Sequence, residues 1–263
     1  MSAPFLDFGS PGAVSAGLFG LVIGSFLNVL AHRLPRGESA VSPGSHCPAC
    51  GAPVRGRDNI PVVSWLLLRA RCRDCRAPIS PRYPLVEAAN GALWVLCFLR
   101  APSYPDFAAA AFFVSACLVL TLIDAEFHLL PDAITLTGIA VGLGLSFFSS
   151  VRTPLSAVLG AALGAGGLWL VAFLYEKAAG HEGMGLGDVK MLGMVGAFLG
   201  PVGVVVTVFL ASLSGSAVGL ALIAARRGGM KMALPFGVFL AVGALAALFF
   251  GEPLVEHYRA LFR

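Results

Sequence analysis

Apolar runs without charge recur along this chain at about the length of a bilayer crossing, roughly 20 residues. Eight stand out, at about 12–31, 85–100, 106–124, 133–149, 155–175, 188–200, 202–225 and 234–251. They predict an all-α polytopic membrane protein with about eight transmembrane helices. The sixth run is short and glycine-rich, from Val189 to Gly200, and Pro201 divides it from the seventh. The stretch 188–225 therefore reads either as two spans or as one bent hairpin. No Lys or Arg precedes the first run and no small-residue cleavage site follows it, so a retained first helix is expected. Polar residues gather only between the first two runs. The pattern divides the chain into a first helix (1–31), a small loop domain (32–84) and a membrane core of about seven helices (85–263).

Composition agrees with the pattern. Of 263 residues, 57% are hydrophobic and 12% charged, about half the roughly 25% of a soluble domain. An ordinary soluble enzyme and a disordered chain are both excluded. The net charge of +4 is small, and the basic residues follow membrane sidedness, so nothing points to nucleic acid. Arg33, Arg36, Arg55, Arg57, Arg69, Arg71, Arg73, Arg76 and Arg82 all lie between runs one and two. With eight spans, Lys177, Lys190, Arg226, Arg227 and Lys231 fall on that same side, against Arg100, Arg152, Arg259 and Arg263 opposite. The positive-inside rule then makes 32–84 cytoplasmic and puts both termini outside.

A loop of this size is too small to bury a large core and calls for a staple. Cys47-Pro-Ala-Cys50 and Cys72-Arg-Asp-Cys75 supply one. Two thiolates two residues apart reach one metal from a tight turn, and two such turns close a tetrahedral four-sulfur site suited to structural Zn2+. The 21 residues between the pairs slightly exceed the usual ribbon spacing. Two disulfides are the alternative, which a reducing compartment disfavours. Nearby arginines favour thiolates. Cys97 and Cys117 stand alone inside runs and read as small packing residues.

Acidic groups at the edge of a span are costly and are functional candidates by default. One set is Asp124, Glu126 and Asp132; the other is Gly185-Leu-Gly187-Asp188-Val-Lys190. The topology puts both sets on the cytoplasmic side. Two carboxyls meeting in a partly dry site share a proton, one serving as base and the other as acid, and so can activate water for peptide hydrolysis. Asp124 and Asp188 are the candidate pair, and each alone could equally be a boundary residue or a helix cap. Gly185 and Gly187 would let an extended peptide approach. Lys190 could orient a carboxylate or anchor its helix. Asp132 reads as the N-cap of the fourth span. Glu126 reads as interfacial, and His181 and Glu182 as solvated loop residues.

Taken together, these motifs resemble the type IV prepilin peptidase family, over about residues 18–245. Gly24-Ser-Phe-Leu-Asn28 through Arg33-Leu-Pro35 resembles the family's first-helix exit. The paired C-x-x-C motifs flank Asn59-Ile-Pro-Val-Val-Ser-Trp65, and Arg82-Tyr-Pro-Leu-Val-Glu87 follows, as in its bifunctional members. The two acidic motifs resemble I-D-x-[DE]-x-x-x-L-P-D and the G-x-G-D-x-K shared by GxGD intramembrane aspartyl proteases. Leu234-Pro-Phe-Gly237 resembles the element before the last helix. Two departures are mild: Val238 stands where a proline is common, and Glu126 takes the second acidic place.

The resemblance implies a bacterial inner-membrane aspartyl endopeptidase with periplasmic termini and Asp124 and Asp188 as catalytic pair. It implies cleavage of the basic leader of prepilins or pseudopilins after Gly at the cytoplasmic face. It also implies N-methylation of the new terminus from S-adenosylmethionine, with Glu87, Gly91 and Asn59 as weak candidates for that site. Two rivals remain. A membrane methyltransferase without peptidase activity would leave both aspartates dispensable. A proton-coupled transporter would want its carboxylates near mid-membrane and leaves the four cysteines unexplained.

Overall fold

The computed structural model describes residues 11–180, 185–225 and 234–260. His181, Glu182, Arg226, Arg227, Lys231 and Arg263 lie outside the described residues. Eight α-helices are present among them: α1 (Pro11–Arg33), a single-turn α2 (Val63–Leu67), α3 (Arg82–Arg100), α4 (Tyr104–Phe127), α5 (Asp132–Ser146), α6 (Pro154–Ala179), α7 (Leu186–Ala224) and α8 (Phe236–Ala260). Every apolar run has become a helix. Five of them (α1, α4, α6, α7 and α8) are long and apolar enough to cross a membrane. At 15 residues α5 is short, and α3 carries Arg82, Glu87, Asn90 and Arg100 among its 19 residues. The chain forms two compact units, Met1–Val119 and Leu120–Arg263, with the division inside α4.

In the first unit α1 and α3 run antiparallel through glycines. A Cβ on Gly20 would stand 2.9 Å from the Gly91 Cα, and one on Gly24 would stand 2.7 Å from the Glu87 Cα. Small residues let the two backbones close, the usual basis of helix pairing in lipid. Polar side chains fasten the pair from within. Asn90, fully buried, donates to the Gly20 carbonyl at 2.7 Å and accepts from Ser115 Oγ at 2.9 Å, which in turn accepts from Trp94 Nε1 at 2.9 Å. Asn28 donates to the Tyr83 carbonyl at 3.2 Å where α3 begins.

The second unit is built on α7, and α7 turns back on itself. Gly200 has φ 69 and ψ −176 inside an otherwise helical run, and Pro201 follows. A straight helix of its 39 residues would reach about 58 Å, nearly twice the roughly 30 Å hydrocarbon core. The contacts exclude a straight rod. A Cβ on Gly187 would stand 3.0 Å from Leu130, and one on Gly237 also 3.0 Å from Leu130, while one on Gly219 would stand 3.6 Å from Leu234. Both ends of α7 therefore meet the beginning of α8. Its first half packs antiparallel on α6, with Gly160 and Gly164 against Gly196 and Leu192; its second half packs on α8, with Thr207 and Ala211 against Gly243. The stretch 188–225 is two apolar arms joined at Gly200.

Candidate active site and cysteine centre

Four helix ends converge in the second unit. Asp124 sits three residues before the end of α4, is 5% exposed, and its Oδ2 accepts from the Val238 backbone N–H at 3.0 Å in the first turn of α8. A proline at 238 could not make that bond. Leu130 is buried behind the turn at His128, whose φ of 52 ends α4. Gly237 has no room for a side chain: a Cβ there would stand 2.8 Å from Asp124 Oδ2 and 3.0 Å from Leu130 Cδ1. Asp188, half-buried, lies in the first turn of α7 directly after Gly187, which packs on Leu130. Leu130 is thus the hinge-pin between two carboxyls 64 positions apart in sequence.

Two expectations about caps are corrected. The α5 N-cap is Pro131, whose backbone is already extended at φ −62 and ψ 131. Asp132 is the first helical residue, and its carboxylate takes both oxygens to Lys190 Nζ, at 2.7 and 2.8 Å. Lys190 therefore ties α5 to α7 and orients neither Asp124 nor Asp188. The cap of α7 is Gly185, with φ −74 and ψ 143, and Asp188 is the third helical residue. Its Oδ2 lies 4.0 Å from where a Cβ on Gly185 would be, so both motif glycines leave open space or close contact beside it. Glu126 is exposed, as an interfacial residue would be.

In the first unit the four cysteines come together. Their sulfurs all lie within 4.8 Å of one another, and Cys47 and Cys75 are 3.8 Å apart. A tetrahedron with a metal–sulfur bond of about 2.3 Å has edges of about 3.8 Å, whereas a disulfide needs about 2.05 Å; all four thiols are free. Each C-x-x-C forms the same knuckle. Cys47 N donates to Ala52 O and Gly51 N to Cys47 O; Cys72 N donates to Ala77 O and Arg76 N to Cys72 O. The bridges His46↔Pro53 and Arg71↔Pro78 close the two turns. The repeat C-x-x-C-x-Ala-Pro, at 47–53 and 72–78, is the sequence sign of this symmetry. Backbone N–H groups of Cys50 and Ala49 aim at Cys47 and bring its thiol down to about 7. At Cys75 the Ala77 N–H also favours the thiolate, but the hydrogen bond with Cys50, desolvation and the other sulfurs outweigh it and push the thiol up to about 12. Four thiols this close ionise together only around a cation.

The loop is held by Arg33, which the sequence offered as a mark of sidedness, and by Glu87. Arg33 is buried and donates to the carbonyls of Ser39 at 3.0 Å, Pro43 at 2.6 Å and Gly44 at 3.4 Å. Glu87 is buried and accepts from the Val62 N–H at 2.7 Å. Val62 has φ 61 and ψ −50, with Val63 N bonded to Pro61 O at 2.6 Å, a strained γ-turn. Gly91 is covered by Leu21, at 3.0 Å from an added Cβ, and Asn59 is exposed. Gly91 thus takes part in helix packing and Glu87 fastens a loop turn.

Comparison with known proteins decides what these centres belong to. The Bacterial Peptidase A24 N-terminal domain matches residues 18–101, and the Type IV leader peptidase family matches residues 111–220. A prepilin leader peptidase/N-methyltransferase of Burkholderia pseudomallei (strain 1026b) is 40% identical over 264 residues, 90% of this chain and 84% of that protein. Proteins of the same name from Aeromonas hydrophila (92% of this chain, 91% of that protein) and Pseudomonas putida (91% of each) are 37% identical. The chain belongs to the type IV leader peptidase family. No solved structure matches it. The four cysteines fall in the first matched domain and both aspartates in the second. Gly237 and Val238 lie beyond the family match yet touch Asp124. Only Leu234-Pro-Phe-Gly237 marked that place in the sequence, and nothing there said that its backbone would reach the first acidic motif.

Proposed function

We propose that this chain is a prepilin leader peptidase of the aspartyl, GxGD kind, with Asp124 and Asp188 as its catalytic pair and an accompanying N-methyltransferase activity. One observation carries the reading: in a chain of this family, the two acidic motifs meet around Leu130 and Gly237 at the ends of α4, α7 and α8. The apolar helix of a prepilin or pseudopilin enters from the lipid, and the junction after its leader Gly lies across the open backbone at Gly185 and Gly187. One carboxylate takes a proton from water as the water oxygen attacks the scissile carbonyl carbon. The other, protonated, supports the carbonyl oxygen and then gives its proton to the leaving nitrogen as the C–N bond breaks. The pair shares its protons, so the two roles belong to the dyad and not to a fixed residue. Asp124 keeps one oxygen fastened to the Val238 N–H throughout.

Sidedness supports cleavage at the cytoplasmic face of a bacterial inner membrane, with both termini periplasmic. The loop thiolates Cys47, Cys50, Cys72 and Cys75 would hold Zn2+, which closes the site and leaves no open position. Methylation of the new terminus takes its methyl group from S-adenosylmethionine. No residue described above is assigned to that step.

The test is direct. The purified protein is incubated with a prepilin in detergent, with and without methyl donor, and the product is weighed by mass spectrometry. Asp124→Asn and Asp188→Asn should each leave the leader attached while the protein still inserts. Leader removal surviving both single changes removes the dyad. Methylation without leader removal by the unaltered protein favours the methyltransferase rival.

A further inference from the structure

Arg69, Arg71, Arg73 and Arg76 wall a cavity of ≈ 580 Å³ in the cysteine loop, completed by Leu67 and Leu68. All four arginines are exposed. Arg73 is neutralised by Asp58, with its Nε 2.8 Å from Oδ2. No carboxylate pairs with Arg69, Arg71 or Arg76 among the described residues. The cavity thus has three unanswered guanidiniums and no acidic lining, and its natural occupant is an anion with several oxygens.

Two of these arginines are held where a side chain resists. Arg69 has φ 51 and Arg76 has φ 63. Arg76 takes the knuckle position that Gly51 fills, at φ 72, in the other half of the repeat. Glycine is the unstrained choice there, and a strained residue kept beside a cavity is characteristic of a functional site. Beside the arginines the loop also exposes apolar groups: Leu66 is 61% and Leu67 77% exposed on α2, with Ile60 and Val63 near half. In water that row is a cost. The loop is tethered at one end by α1 and at the other by α3, so a bilayer surface is always within its reach.

We propose that this cavity seats the phosphate headgroup of an anionic phospholipid, with Leu66 and Leu67 entering the interface beside it. A leaflet rich in such lipids supplies both complements at once, negative oxygens for the arginines and an apolar layer for the leucines. S-adenosylmethionine fits less well, because its sulfonium would face the same arginines without an acidic partner. The assignment does not rest on leader cleavage, and its failure would leave that reading untouched.

The test uses the full chain in nanodiscs of phosphatidylcholine, with or without phosphatidylglycerol. Amide hydrogen exchange over residues 60–76 should slow when phosphatidylglycerol is present. R76G should keep its bound metal and thermal stability, since it relieves the backbone, yet bind phosphatidylglycerol about fivefold more weakly by native mass spectrometry. Adding R71Q should bring the loss to about 30-fold. Should R76G lose its metal, R71Q alone carries the test, because Arg71 pairs with Pro78 through backbone. Equal exchange in both discs overturns the proposal. So does equal protection by inorganic phosphate in phosphatidylcholine discs, which would make the ligand a free anion. Protection by S-adenosylmethionine alone, lost in R76G, would assign the cavity to the methyl donor instead.

Discussion

Gly237 shows how little freedom the acidic site leaves a single residue. An alanine Cβ would stand 2.8 Å from Asp124 Oδ2 and 3.0 Å from both Asp124 Cγ and Leu130 Cδ1. The nearest of these atoms, Oδ2, is held by the Val238 N–H, so making room moves the carboxyl and strains that bond. Misplacing a catalytic group by about 1 Å costs on the order of 100-fold in rate. Gly237→Ala should therefore cut leader removal by about that factor while leaving membrane insertion and metal content unchanged. A variant within a few-fold of the unaltered protein would mean that Asp124 tolerates displacement and is not the reacting group. Asp132 teaches a different point at the same scale. Its position before an apolar run suited a cap, but Pro131 had already set the extended backbone, which freed the carboxylate for Lys190. That pair is partly exposed, with side chains 32% and 57% accessible, so Lys190→Ala should cost no more than about 1 kcal/mol in thermal unfolding. A much larger loss would show that the pair bears more of the α5–α7 contact than its exposure allows.

At the scale of elements, the cysteine loop was the more legible half. Paired C-x-x-C spacing is a local signal, because each knuckle is closed by its own backbone, and the ligand set follows from chain chemistry alone. The acidic pair was legible only as two motifs on one side of the membrane. What brings them together, Leu130 between Gly187 and Gly237, is tertiary packing with no local signature. Arg33 was misleading for the same reason: as a charge it marks sidedness, yet it is buried and binds three carbonyls. The loop predicts its own experiment. Elemental analysis of the reduced protein should find one zinc per chain, and Cys72→Ser, which removes the buried sulfur, should abolish it. Structural zinc is worth roughly 10–16 kcal/mol to small domains that fold around it. Loss of the metal should therefore open residues 45–80 to protease while α4 to α8 stay protected. Zinc retained in Cys72→Ser, or a loop still resistant without it, would remove the staple.

For the whole molecule the decisive element is the fold-back at Gly200. The sequence left 188–225 as either two spans or one bent hairpin, whereas a single straight crossing there would put 185 and 225 on opposite faces. Gly187 and Gly237 share Leu130 as neighbour, and Gly219 meets Leu234, so both arms of α7 end beside the start of α8, on the same face. Glycine is required at the turn twice over: φ is 69, and a Cβ would stand 2.7 Å from Ser156 Oγ on α6. Backbone at φ 69 and ψ −176 is essentially reserved for glycine and costs an L-residue about 1–3 kcal/mol before any clash. Gly200→Ala should therefore lower thermal stability by at least that much, and it should impair leader removal without touching the acidic motifs, because the first arm of α7 carries Asp188. Topology gives the independent check. Reporter fusions that are active on only one face, placed after Gly180 and after Ala225, should report the same side, and a fusion after Arg152 the other. Opposite reports from 180 and 225 would straighten α7, carry Asp188 or the start of α8 to the far face, and leave Asp124 without a partner.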